Sequence, residues 1–245
     1  MIPIRDINQS SRTPAVVYGI IIVNILVFLY QLGLSPAGLQ DFFLHFGATP
    51  RRFLLAATGE PVGGLIAIPL TLFTHMFIHG GWMHIIGNMW FLFIFGDNVE
   101  DALGHLRFAV FYLLCGIGAA GAEMLLSSHV DVPMVGASGA IAGVMGAYMW
   151  LFPKAKVVTL IPIIVFIYFI EIPAMVFLAF WFGMQLLNAN GAYAAGGGVA
   201  YYAHAGGFLV GLAMILTIMK PSREFLNRQT IRRRSTSSFF SKFQR

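Results

Sequence analysis

The sequence predicts an all-α membrane protein in which six helices cross the bilayer and a long first loop lies against it. Composition, the spacing of apolar runs and the placement of positive charge carry this prediction. Of 245 residues, 58% are hydrophobic and only 10% charged, and mean hydropathy is +0.79, whereas a soluble domain carries about a quarter charged residues. An ordinary soluble protein is excluded. A span needs about 20 mostly apolar residues, so this length holds several spans and leaves little for a separate soluble domain.

The apolar runs place helices near 14–33, 82–96, 106–127, 137–152, 171–188 and 199–219. An even count puts both ends on one side, and basic residues mark the cytoplasmic side. The N-tail, second loop, fourth loop and C-tail hold 13 Lys and Arg, against 2, Arg51 and Arg52, in the odd-numbered loops. Both termini are therefore expected in the cytoplasm, with a multi-pass place in the plasma (inner) membrane of a prokaryote. A net charge of +5 would suit nucleic acid, but eight of the fifteen basic residues lie from Lys220 onward, outside the apolar body. Anionic lipid is the expected partner, and nucleic acid is not.

Taken in order, residues 1–13 form a cytoplasmic tail. Arg5 and Arg12 precede an apolar stretch that is long for a signal peptide and lacks a small-x-small cleavage site, so it is expected to stay as the first span. Residues 14–219 form one membrane domain. Within it the loop from about 34 to 81 is rich in Phe, Leu and Gly, as an interfacial element would be. The run 157–170, broken by Pro162 and followed by Glu171 and Pro173, is expected to approach the fifth span along the interface, a seventh span being the alternative. Residues 220–245, with Arg232, Arg233 and Arg234, read as a basic cytoplasmic tail facing lipid. Cys115 is the single cysteine, so no disulfide holds this fold.

Polar side chains inside apolar segments mark function, because lipid cannot hydrate them. Here they are His75, His79, His84, Asn88, Ser138, Gln185 and His204. With the N-terminus inside, spans two, four and six descend from the outer face, and His84, Ser138 and His204 each fall within the first two turns of one of them. They are expected at one depth. Span four, framed by Pro133 and Pro153, is shorter than about 30 Å of hydrocarbon and cannot comfortably reach both surfaces. Its start at Gly136-Ala137-Ser138-Gly139 is therefore expected below the outer surface, in an aqueous cavity. Gly139 and Gly143 in span four, and Gly207 and Gly211 in span six, offer small faces on which two backbones can approach. That approach would bring Ser138 to His204. His84 and Asn88, four apart, share a helix face and can donate to one developing oxyanion, with the Ser138 amide as a third donor.

Three separated elements resemble the rhomboid family: His79-Gly-Gly-Trp-Met-His84-Ile-Ile-Gly-Asn88, Gly136-Ala137-Ser138-Gly139, and Ala203-His204-Ala205-Gly206-Gly207 with Gly211. Glu100-Asp101-Ala-Leu-Gly104 and the Ile-Pro-Ala start of span five also look similar. The resemblance implies a six-helix rhomboid bundle and an intramembrane serine endopeptidase. Ser138 would be the nucleophile, His204 the base and then the acid, and His84, Asn88 and the Ser138 amide the oxyanion donors. No cofactor or metal is implied. The substrates would be transmembrane segments of other membrane proteins, cut near the outer face. The chain departs from some members at Ala142, where they carry an aromatic stacked on the histidine, and it lacks the Trp-Arg pair that some carry in the first loop.

Rival readings are a zinc site at His75, His79 and His84, a non-catalytic binder of membrane clients, and a transporter. No HExxH is present, both Ser138 and His204 are retained, and no repeated half appears. Asp131 is weighed as a third member beside His204. Glu123 and Glu171 are read as helix-end or interhelical contacts. The loop from Asn188 to Gly198 is expected to cap the site, and Phe180 and Trp181 to form a lateral gate.

Overall fold

A computed structural model describes residues 1–163, 166–192 and 200–226. Strand β1 (Ile2–Asp6) leads into α1 (Ala15–Leu32), and the first loop folds as α2 (Pro36–Phe46), α3 (Pro50–Ala57) and α4 (Thr71–Thr74), the last flanked by 3-10 turns. Then follow α5 (Trp82–Leu103), α6 (His105–Leu126), α7 (Ser138–Leu151), the strands β2 (Lys156–Ile163) and β3 (Phe166–Pro173), α8 (Ala174–Ala192) and α9 (Tyr201–Thr217). Helices therefore form at all six expected places. On length and composition, α1 and α6 are long and apolar enough to cross a membrane, and α7, α8 and α9 are shorter apolar helices.

The expectation of an all-α chain is corrected, because β1, β2 and β3 form an antiparallel sheet in that order. Ile2 lies opposite Leu160 and Asp6 opposite Val157, while Lys156 pairs with Pro173 and Ile163 with Phe166 across the hairpin. The segment 157–170 is thus neither an interfacial approach nor a seventh span. Ten of the eighteen residues from Lys156 to Pro173 are β-branched, which favours a pleated strand, and Pro162 breaks any helix there.

The sheet is tied to the helices by polar groups. Trp90 Nε1 donates to the Pro3 carbonyl at 2.6 Å, and Asp6 Oδ2 accepts from the Tyr148 hydroxyl at 2.5 Å and from Asn98 Nδ2 at 2.9 Å. Burial raises the Asp6 carboxyl from its ordinary 3.8 to about 6, against the Tyr148 hydrogen bond and with the help of the Asp97 charge. The folded state then holds this proton more tightly than the unfolded one, so stability falls as pH rises from about 4 to 6 and is level above. Asp6→Asn keeps an acceptor without the charge. It is expected to raise the melting temperature at pH 7 by about 2–4 °C and to flatten that decline. A lower melting temperature at pH 7 would mean that the charge itself holds the sheet.

Two further contacts set the helix ends. Glu100, at the base of α5, accepts from the Val16 and Val17 N–H groups at 3.0 and 2.8 Å, satisfying the open start of α1 with a carboxylate. Asp101 accepts from the Ser11 N–H at 2.9 Å. In the first loop, Ala48 and Met134 exchange backbone hydrogen bonds of 3.1 and 2.9 Å, joining the loop to the segment that enters α7.

Helix α7 is the centre of the bundle, with every residue from Gly139 to Tyr148 buried. Its 14 residues reach about 21 Å. Helix α9 lies against it at backbone contact: a Cβ built on Gly207 would fall 2.0 Å from the Gly139 carbonyl oxygen, and one on Gly211 would fall 2.1 Å from that of Gly143. Glycine is required there by proximity.

Candidate active site

The starts of α5, α7 and α9 meet around one cavity of about 970 Å³, lined by His84, Asn88, Ser138 and His204 together with Met134, Trp181 and others. Ser138 is the first residue of α7, so its N–H belongs to the helix start, where the helix itself supplies no acceptor. The turn before it depends on Gly136, whose φ is +124° and whose N–H donates to the His75 carbonyl at 2.9 Å. A Cβ there would lie 2.6 Å from His84 Nε2. Gly136 is thus needed for both its backbone angle and its closeness to His84.

His204 lies on the first turn of α9, with Nε2 2.8 Å from Ser138 Oγ and Nδ1 2.8 Å from Gln185 Oε1. Glu123 of α6 accepts from the Ala203 N–H at 2.8 Å and so holds the start of the His204 helix. The indole of Trp181 lies 6.0 Å from the His204 ring at an interplanar angle of 33°, and Tyr201 meets that ring edge-on at 6.2 Å. The aromatic neighbours of His204 thus come from α8 and α9. Ala142 itself is fully buried and offers no ring.

On the opposite wall, His84 Nδ1 accepts from the Gly80 N–H at 3.3 Å, which leaves Nε2 to carry the ring proton towards Gly136. Asn88 Nδ2 lies 2.9 Å from His79 Nε2. His79 is in turn fixed through its backbone by Gln31, whose side chain accepts from its N–H at 3.1 Å and donates to its carbonyl at 2.8 Å. The four sequence-derived residues, Ser138, His204, His84 and Asn88, therefore face one space. Among the described residues, no three His, Cys, Asp or Glu side chains form a group that could hold a metal ion.

Asp131 is elsewhere, in an exposed ion pair with Arg51 whose second contact is 3.0 Å. The hydrogen bond from Arg51 holds its carboxyl below the ordinary range. Gln185, His79 and Glu123 bear directly on the site: Glu123 makes a helix-end, interhelical contact as expected, while sequence reasoning gave Gln185 and His79 no specific partner. The one available signal was that each is polar within or beside an apolar run. Trp181, expected only as a gate, lies beside His204, while Phe180 is exposed on α8. Of the expected cap 188–198, residues 193–198 lie outside the described residues.

A family model described as the Rhomboid domain matches residues 69–221, more than half of the chain. The chain belongs to the rhomboid family. It is thereby a mostly helical membrane protein of that family, as the three sequence elements implied. Similar proteins carry the same designation. RHOMBOID-like protein 6, mitochondrial, of Arabidopsis thaliana is 30% identical over 69% of this chain and 51% of its own length. Rhomboid protein 1, mitochondrial, of Saccharomyces cerevisiae is 28% identical over 80% of this chain and 51% of its own. A Bacillus subtilis protein, named provisionally as the rhomboid protease YdcA, is 36% identical over 33% of this chain and 40% of its own. The chain spans about half or less of the length of these relatives. Their names point to mitochondria as well as to a bacterium and lend no particular support to a prokaryotic inner membrane.

Proposed function

We propose that this chain is an intramembrane serine endopeptidase whose helices α1, α5, α6, α7, α8 and α9 cross the bilayer, with both described ends on the cytoplasmic side. The observation that carries this reading is the 2.8 Å contact between Ser138 Oγ and His204 Nε2 inside a cavity whose other wall presents His84 and Asn88. A serine hydroxyl is a weak nucleophile until a base at this distance takes its proton.

The steps follow from that geometry. Ser138 Oγ attacks the scissile carbonyl carbon as its proton passes to His204 Nε2. The carbonyl oxygen gains negative charge opposite His84 Nε2, the Asn88 amide and the Ser138 N–H, and it is stabilised by donors already in place. His204 then gives its proton to the departing amine, leaving an acyl-enzyme on Ser138. A water, deprotonated by His204, then attacks the acyl carbon, the bond to Ser138 Oγ breaks, and His204 returns the proton to Oγ as the acid product leaves. No step requires a cofactor.

The substrates proposed are transmembrane segments of other membrane proteins that unwind near the outer face, since a helix hides its carbonyls in its own hydrogen bonds. The test is incubation of purified protein with a panel of transmembrane peptides, with cuts located by mass spectrometry. Cleavage within or beside the apolar segment supports the reading, and an intact panel alongside intact Ser138→Ala controls counts against it.

The wall opposite Ser138 gives a graded prediction. Asn88→Ala is expected to lower kcat by about 10²–10³ with little change in KM, because the charge it meets exists only in the transition state. Full turnover, or a loss confined to substrate binding, would make Asn88 a structural partner of His79.

A further inference from the structure

The hydrogen bond on the far side of the His204 ring has a direction. Gln185 lies on α8, is 8% exposed, and places Oε1 2.8 Å from His204 Nδ1. A carboxamide oxygen only accepts, so Nδ1 must carry the ring proton, and Nε2 is then bare where it faces Ser138 Oγ at 2.8 Å. The amide is held this way round in part by its own Nε2, which points to the Trp181 carbonyl one turn back at 3.5 Å. Reversed, its NH₂ would face Nδ1 and push the proton to Nε2, where the ring could no longer take one from the serine.

We propose that Gln185 is a positioning residue that holds His204 in the Nδ1–H tautomer and aims Nε2 at Ser138. It takes the place that a carboxylate fills in Ser-His-Asp arrangements. The two carboxylates that the sequence offered beside the site are engaged otherwise: Glu123 by the Ala203 N–H, and Asp131 by Arg51. A neutral amide orients the ring without adding a buried charge, which would be costly in a site walled by apolar helices. The rings of Trp181 and Tyr201 limit tilting of the imidazole. They do not choose its tautomer; among the described residues, the contact at Nδ1 that does so is Gln185.

This inference rests on the protease reading, and two measurements separate them. The first is the ¹⁵N spectrum of histidine-labelled protein, in which the His204 signals are assigned by their loss in His204→Ala. A protonated Nδ1 and a bare Nε2 are expected in the wild type, and the reverse pattern would overturn the proposal whether or not the protein cleaves anything. The second compares Gln185→Leu, close in size but without an acceptor, with Gln185→Glu, which restores one. Gln185→Leu is expected to lower kcat about 10- to 100-fold with KM within about twofold, and Gln185→Glu to recover most of that loss. Equal kcat in Gln185→Leu and wild type, or a change in KM alone, would make Gln185 a packing residue. A wild type that cleaves nothing would instead defeat the protease reading and leave the tautomer to be decided by the spectrum.

Discussion

Ser138→Ala and His204→Ala are each expected to abolish cleavage of transmembrane peptides, a loss of about 10⁴–10⁶ in kcat, while the protein stays folded. The two side chains act as one unit across 2.8 Å, so the double variant should be no worse than either single one. Folding should survive, because the hydroxyl and the imidazole contact each other inside a cavity and the helix packing below them is made by other residues. Turnover measured in one detergent preparation, with melting temperature as the control, checks this. Residual activity above a trace in Ser138→Ala would mean that the nucleophile lies elsewhere.

The second large effect belongs to the contact between α7 and α9. In Gly207→Ala the new Cβ would begin 2.0 Å from the Gly139 carbonyl oxygen and 2.9 Å from its carbonyl carbon. Both atoms are backbone and cannot rotate away, so the helices must part by about 1 Å to reach ordinary contact. Gly207 is three residues from His204, so that parting falls on the Ser138 to His204 hydrogen bond. A displacement of about 1 Å costs about 10² in rate, and overpacking adds about 1–3 kcal/mol of lost stability. Gly207→Ala is therefore expected to lose at least about 10²-fold in kcat and to melt at lower temperature. Gly19→Ala on α1, where a Cβ meets nothing within 4 Å, should leave activity unchanged. Wild-type turnover in Gly207→Ala would show that the site does not depend on backbone contact between these helices.

What the sequence made legible, and what it did not, follows from the range of the interactions. The six helices were readable because each is a long apolar run bounded by Gly, Pro or charge, and Ser138, His204, His84 and Asn88 were readable because polar groups stand out in such runs. The small faces of α7 and α9 were visible too, since glycine spacing is a local property. The hairpin β2–β3 was misread because an apolar run without alternating polar residues has no period to separate strand from helix. The signals that would have helped were its β-branched content and Pro162. Nothing local announces that β1, from the opposite end of the chain, completes the sheet through a pairing of Ile2 with Leu160. The bonds of Gln185 to His204 and of Glu123 to the Ala203 N–H were likewise hidden, because they join different helices, while that of His79 to Asn88, nine residues apart, depends on how the chain turns into α5. The same applies to Asp131, whose place near Ser138 in the sequence suggested a catalytic partner and whose actual partner is Arg51.

The most direct test of the account is covalent labelling by a fluorophosphonate, which reacts with a serine only when its hydroxyl is activated. The purified protein is treated, digested and mapped by mass spectrometry, beside His204→Ala. The account predicts a single adduct on Ser138 that is lost, or slowed by at least about 10³-fold, when His204 is replaced. An adduct on another residue, or labelling of Ser138 at the same rate without His204, would contradict it.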